Sequence, residues 1–230
     1  MGLDFFQYTE SPLLFVSFTC NLSRYIHELI EQGEHQQLDF KFEINDAKKI
    51  ARTLSAFANT DGGKLLIGVK DNGKIAGVRS AEEYHMIEGA AQMYCKPELL
   101  FESRKWDILG KTVLEVDIAP VSNRPCLALS EDNRWLAYIR VGDQNILANT
   151  VLLKVWQKEK RKKGIFIEYS KTESILLDYL ESNTEISLSG FCRIGKIARR
   201  QAEETLAKLI ALEVIQIEMS EKGATYKLVP

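Results

Sequence analysis

The chain is short of cysteine, histidine and net charge, and each shortage closes off a class of answer. Four cysteines in 230 residues, Cys20, Cys95, Cys126 and Cys192, stand far apart, with no CxxC and no Cys/His cluster. A structural zinc site or a disulfide framework needs closer pairing, so these read as reduced, mostly buried thiols in a reducing compartment. The three histidines, His27, His35 and His85, are scattered and read as surface or packing residues rather than ligands. No apolar run approaches the roughly 20 residues of a membrane span. Leu13-Leu14-Phe15-Val16 is apolar, but Asp4 and Glu10 precede it and no basic n-region does, which argues against a signal peptide. The expected location is the cytoplasm. A formal net charge of −2 supplies no global basic field to advertise a polyanion partner.

What is present is globular. Apolar residues make up 45% and charged residues 27% of the chain, a balance that excludes wholesale disorder. The charge is uneven: residues 154–230 hold 14 Lys and Arg against 11 Asp and Glu, which leaves 16 against 21 for residues 1–153. The bias favours a polyanion partner for the C-terminal part.

The first 150 residues read as α+β. Leu22, Tyr25, Ile26, Leu29 and Ile30 have the spacing of one helix face between Asn21 and Gln32. Leu38 to Phe42 alternates as a half-buried strand does. Asp46 is placed to cap a helix whose apolar positions, Ala47, Ile50, Ala51, Leu54, Phe57 and Ala58, follow the 3.6-residue period to Asn59. Asn59-Thr60-Asp61-Gly62-Gly63 breaks that helix, and a strand is expected over Lys64 to Val69. Asn72-Gly73 predicts a type I′ hairpin returning as Ile75 to Val78. Beyond it the pattern gives a helix from Ser80 to about Tyr94. A hairpin of Leu100–Ile108 and Thr112–Ile118 follows, then strands at Cys126–Leu129 and Trp135–Val141.

Thr150 to Lys163 reads as a linking helix ending in the basic run Lys158 to Lys163. That run is either a solvated helix end or a phosphate-tracking linker. After it the order becomes helix, helix, helix, hairpin. Thr172 is the expected cap for Ile175–Leu180, followed by Leu188–Gly195 and Ala198–Leu212, with strands at Val214–Glu218 and Thr225–Val229. In order and length this is a winged helix-turn-helix. The expected division is residues 1–150, a linking helix and basic linker at 151–167, and a winged helix at 168–230.

Phe57-Ala58-Asn59-Thr60-Asp61-Gly62-Gly63-Lys64-Leu65-Leu66-Ile67-Gly68-Val69, followed by Asp71-Asn72-Gly73-Lys74-Ile75-Ala76-Gly77-Val78, closely resembles the signature of the AlbA-like domain of Schlafen-type proteins. Glu34 ahead of Asp39-Phe40-Lys41, and Tyr138-Ile139-Arg140-Val141-Gly142, extend the resemblance over roughly residues 30–150. It implies an α+β domain of DNA-binding type, often found in bacterial regulators and often followed by a winged helix. Eukaryotic relatives include RNA endonucleases with an acidic cluster. Two of those positions fall on Glu34 and Asp39, and the third follows the Ile67-Gly68-Val69 strand, where this chain has Lys70 and then Asp71. The lysine, and Asp39 where the family more often has Glu, depart from the nuclease pattern.

For the chemistry of the candidate sites, Glu34, Asp39 and Asp71 would have to converge to hold a divalent ion; the alternative is solvated carboxylates. Lys41, Lys64 and Arg140 are candidate phosphate contacts, with Lys64 singled out because it follows the glycine turn. A P-loop is excluded, because Ala58 stands where its first Gly belongs and Leu65 where Ser or Thr should bind magnesium. Lys196, Arg199, Arg200 and Gln201 open the expected reading helix, where Arg pairs with guanine and Gln with adenine. Glu203 and Glu204 follow at once and dilute that charge. The expected function is a DNA-binding transcriptional regulator, a homodimer with no catalytic residue, cofactor or metal. A metal-dependent ribonuclease and a protein-interaction scaffold are the alternatives, and RNA is the alternative ligand.

Overall fold

A computed structural model describes residues 24–80, 82–160 and 170–230. The expectations for residues 1–23, Cys20 among them, and for Arg161 to Lys163 lie outside them. Helix α1 covers residues 24–32, and its Ile26 packs with Leu38, Phe40, Leu66 and Val113 on one face of a four-stranded sheet. That sheet has the order β1 (Leu38–Lys41), β2 (Gly63–Ile67), β5 (Lys111–Ile118), β4 (Glu102–Ile108). β1 and β2 run parallel with Leu38 opposite Lys64, while β5 is antiparallel to both β2 and β4. The parallel pair needs a crossover, and helix α2 (Ala47–Asn59) supplies it.

Helix α2 is the hub. Asp46 caps it as expected, Oδ1 accepting from Lys48 N at 2.8 Å. From Thr53 to Asn59 every residue is buried, because the helix lies under the first sheet and also against a second, antiparallel one. The second sheet has the order β3 (Cys95–Lys96), β6 (Leu127–Leu129), β7 (Trp135–Val141), β8 (Gln144–Leu147). Leu54, Phe57, Leu65, Ile67, Val116 and Tyr138 share this core with Ile87 and Ala90 of α3 (Glu82–Met93). The polar residues in the buried half are satisfied by chain they hold in place. Asn59 Nδ2 donates to the carbonyls of Cys126 and Tyr138, both at 2.8 Å, and its Oδ1 accepts from Cys126 N at 2.7 Å. Gly62 then turns at φ +72, where a side chain would be strained, and a Cβ on Gly63 would sit 2.5 Å from the Phe57 ring.

Two local expectations are corrected. Asn72 does not take positive φ, so the turn is not type I′, and Val69 meets Ile75 only in an isolated bridge. The place beside β2 is occupied by β5, and Val78 N donates to Thr112 O instead. A type I′ geometry does occur at the next hairpin, where Leu109 (φ 54) and Gly110 (φ 74) connect β4 and β5. The cap of α5 (Lys171–Ser182) is Ser170, not Thr172. Ser170 and Glu173 form a reciprocal capping box, which satisfies two backbone donors where Thr172 satisfies none.

The C-terminal residues form α5, β9 (Ile186–Ser187), α6 (Leu188–Gly195), α7 (Arg199–Ala211), β10 (Ile215–Ser220) and β11 (Gly223–Leu228). β9 adds to the β10–β11 hairpin, giving a small sheet of order β10-β11-β9. Leu176, Phe191, Leu206, Ile215 and Tyr226 pack together in a core distinct from that around α2. Helix α4 (Thr150–Glu159) belongs to both halves. Val151 and Val155 enter the C-terminal core, while Trp156, 2% exposed, packs on Ala137 and Ile139 of β7 with Met219 beside it.

Candidate nucleic-acid interface

Glu34, Asp39, Lys41 and Arg140 come together at β1. Arg140 is 2% exposed and reaches from β7 across the end of the first sheet. Its Nη2 donates to Asp39 Oδ1 and to Leu38 O, both at 3.2 Å, its Nε to His35 O at 3.3 Å, and its Nη1 to Asn145 Oδ1 at 3.1 Å. The guanidinium also lies 5.2 Å from the centre of the Phe57 ring. A buried Arg with this many acceptors is a fold-organising cation, and it stands behind the surface rather than on it. Lys41 Nζ is 2.6 Å from Asp39 Oδ2, off the line a hydrogen bond takes, and donates to Phe40 O at 2.8 Å.

Glu34 Oε1 accepts from Phe40 N at 2.9 Å. Burial first, and then the neighbouring Asp39 carboxyl, push its pKa above the ordinary glutamate value. Asp71 does not join them; it is exposed in the turn after Lys70, whose ammonium sits 4.8 Å over the Phe42 ring. Among the described residues no three His, Cys, Asp or Glu side chains group closely enough to hold a metal ion.

Lys64 is held on the opposite side of β2. Its ammonium pairs with Asp117 and, at 3.0 Å, with Glu115. Glu115 is buried at 2% exposure and is fully engaged, accepting also from Tyr25 Oη and Trp106 Nε1, both at 2.8 Å. Burial alone would lower the lysine's pKa, but the two carboxylates outweigh it and raise it.

Lys196, Arg199, Arg200 and Gln201 lie together at the exposed start of α7. Lys196 takes the left-handed conformation (φ 49) that ends α6 and turns the chain into α7. Arg199, 74% exposed in its side chain, gives Nε to Glu203 at 3.0 Å. The acids that follow face α4: Glu203 is 3.6 Å from Lys154, and Glu204 pairs with Lys154 and Lys158. These lysines lower the Glu204 pKa, Lys158 foremost.

One cationic group is absent from the expectations above. Lys48, Lys49 and Arg52 share the outward face of α2, and a groove of about 420 Å³ runs beside them, lined also by Ser130, Glu131, Asp132, Tyr138 and Asn145. Arg52 donates to Asn145 O and lies 5.1 Å over the Tyr138 ring, and Lys48 donates to Asn133 Oδ1 at 2.9 Å. The signal was in the sequence: the polar face of this helix carries three cations and no acid.

Residues 34–149 match the family model described as Schlafen, AlbA_2. That is half of the chain, and the chain belongs to this family. No curated protein matches it. Among solved structures it is similar to the DIP2311 protein of Corynebacterium diphtheriae, at 17% identity and a TM-score of 0.42, over 67% of this chain and 35% of that one. It is also similar to the N-terminal domain of an ATP-dependent DNA helicase RecG-related protein from Nitrosomonas europaea. There the identity is 23% and the TM-score 0.38, over 54% of this chain and 95% of that domain. The match therefore spans about a third of DIP2311. No helix among the described residues is long and apolar enough to cross a membrane.

Proposed function

We propose that the chain is a nucleic-acid-binding protein that engages duplex DNA and acts as a transcriptional regulator. Its AlbA-like part and its C-terminal part serve as two binding units braced by α4. In this reading residues 170–230 are a winged helix-turn-helix: α7 enters the major groove, the β10–β11 hairpin is the wing, and Lys196, Arg199, Arg200 and Gln201 make the contacts. The observation that carries the proposal is the separation of charge on α7. Its first turn presents exposed cations, while of the acids that follow, Glu204 is turned to Lys154 and Lys158, and Glu203, 10% exposed in its side chain, lies between Arg199 and Lys154. Lys48, Lys49 and Arg52 give the AlbA-like part a second cationic face. Arg140, being buried, supports that part from within.

The test is binding to duplex DNA and to RNA over a salt series, for the parent and for R199A/R200A. The variant should bind DNA more weakly, and the slope of log affinity against log salt should become shallower by about 0.9 for each phosphate the protein no longer neutralises. Equal affinity and an unchanged slope would remove α7 as the reader. Tighter binding to RNA than to DNA would change the ligand but leave the cationic faces in place.

A further inference from the structure

We infer that the groove between α4, α6 and the β10–β11 hairpin binds a small organic anion, a carboxylate carried on an apolar body. The groove has a volume of about 640 Å³, within the range of small-molecule sites. Its lining separates by chemistry. Val151, Leu153, Leu188, Ala224 and the Tyr226 ring form an apolar floor, and Arg199 and Lys222 stand at its rim. Ser187, Ser189 and Thr150 add hydroxyls, and no carboxylate lines it.

The helix starts that open onto the groove each have a side-chain cap: Asn149 Oδ1 accepts from Leu152 N at 2.8 Å and Ser187 Oγ from Gly190 N at 3.1 Å. The attraction for an anion therefore comes from the two cations. Arg199 commits only Nε to Glu203, which leaves the end of its fork to face a carboxylate. Lys222 is exposed in the two-residue turn between β10 and β11. Tyr226, 1% exposed, stays protonated, since burial pushes its pKa up to about 12. As a neutral phenol it does not repel an anion. An apolar body laid on this floor removes surface from water while its carboxylate meets the rim.

Arg199 and the hairpin are also the parts assigned above to DNA, so the regulatory consequence rests on that proposal. A ligand drawing Arg199 and Lys222 together over the groove would weaken DNA binding.

The experiment titrates naphthoate into the full chain without DNA, by calorimetry and by backbone NMR shifts, with naphthamide as the neutral match. Naphthoate should bind about tenfold more tightly than naphthamide, the equivalent of one charge-assisted hydrogen bond. Shifts should centre on Leu188, Arg199 and Gly223. K222Q should narrow the gap between the two probes, and A224L, which fills the floor without changing charge, should weaken both while melting like the parent. Equal binding of the two probes, an unaffected K222Q, or no binding by either would overturn the inference. A DNA titration with and without naphthoate reads the coupling separately. Binding of naphthoate by a chain that ignores DNA would leave the groove assigned and the DNA reading refuted.

Discussion

Arg140 Nη2 and Asp39 Oδ1 lie 3.2 Å apart, with both side chains buried where β7 crosses the end of β1. The same guanidinium holds the His35 and Leu38 carbonyls, so the turn that presents Glu34 and the strand that carries Asp39 are tied to the second sheet by one side chain. Removing the cation would leave the buried Asp39 carboxylate with only the half-exposed Lys41 ammonium beside it, and Asn145 Oδ1 without its donor.

R140M should therefore destabilise the protein by about 3–5 kcal/mol, the usual cost of breaking a buried ion pair from one side. Urea denaturation measures it. R140M/D39N should cost less than the sum of the single variants, because the second change removes the charge stranded by the first. Additive losses would show that the two groups do not stabilise each other.

Glu34 predicts a pH effect of defined sign. Its folded pKa is raised above 4.5 by burial and by Asp39, so the folded state holds the proton more tightly than the unfolded chain does. The contribution is fully present below the unfolded value and is lost as pH rises through the folded one. E34Q, which keeps an oxygen for Phe40 N, should raise the urea midpoint near neutral pH and leave it unchanged below 4.5. An equal effect at both pH values would show that the titration of Glu34 is not the cause.

Helix α2 was legible almost to the residue, because a capping Asp, a 3.6-residue apolar stripe and a glycine break all point the same way. The hairpin after β2 was not. Asn72-Gly73 carries a local turn signal, but the partner of β2 is β5, far along the chain, and the choice between them is made by packing around Val113 and Leu114. The charged candidates show the same limit. Lys64 and Arg140 look like phosphate contacts in the sequence, and only the fold places Glu115 and Asp117 around one and Asp39 beside the other. The reverse error concerned Glu203 and Glu204, which read as repulsive until α4 is set against α7.

That docking gives a third prediction. E204Q frees Lys158 and removes one acid from α7, so DNA affinity at low salt should rise by about two- to fivefold, the scale of one exposed charge pair. A double change, K154Q/K158Q, should lower affinity by exposing both acids. Fluorescence anisotropy on one duplex at two salt concentrations is sufficient. If E204Q binds as the parent does, the pairing with α4 does not tune the α7 surface.

The last prediction separates two kinds of lysine in the AlbA-like part. Lys49 and Arg52 are exposed on α2, with Lys48 half-buried beside them, and the structure brings no carboxylate within salt-bridge distance of them among the described residues. A polyanion lying along that helix would displace counterions through all three. K48Q/K49Q/R52Q should therefore weaken DNA binding and reduce the salt slope by up to about 0.9 per phosphate, and should lower stability only by the loss of the Arg52 bond to Asn145 O, about 0.5–1 kcal/mol. Lys64 should behave in the opposite way. Its ammonium lies between Glu115 and Asp117, and Glu115 is buried. K64Q withdraws the cation from that pair and should cost about 1–3 kcal/mol of stability, while the salt slope of binding stays where it was. Melting and binding measured on the same two preparations are enough, and the expected pattern is crossed: the triple variant fails at binding and K64Q at stability. A K64Q protein that melts like the parent yet binds with a shallower salt slope would restore Lys64 to the interface and move the DNA path from α2 to the glycine turn.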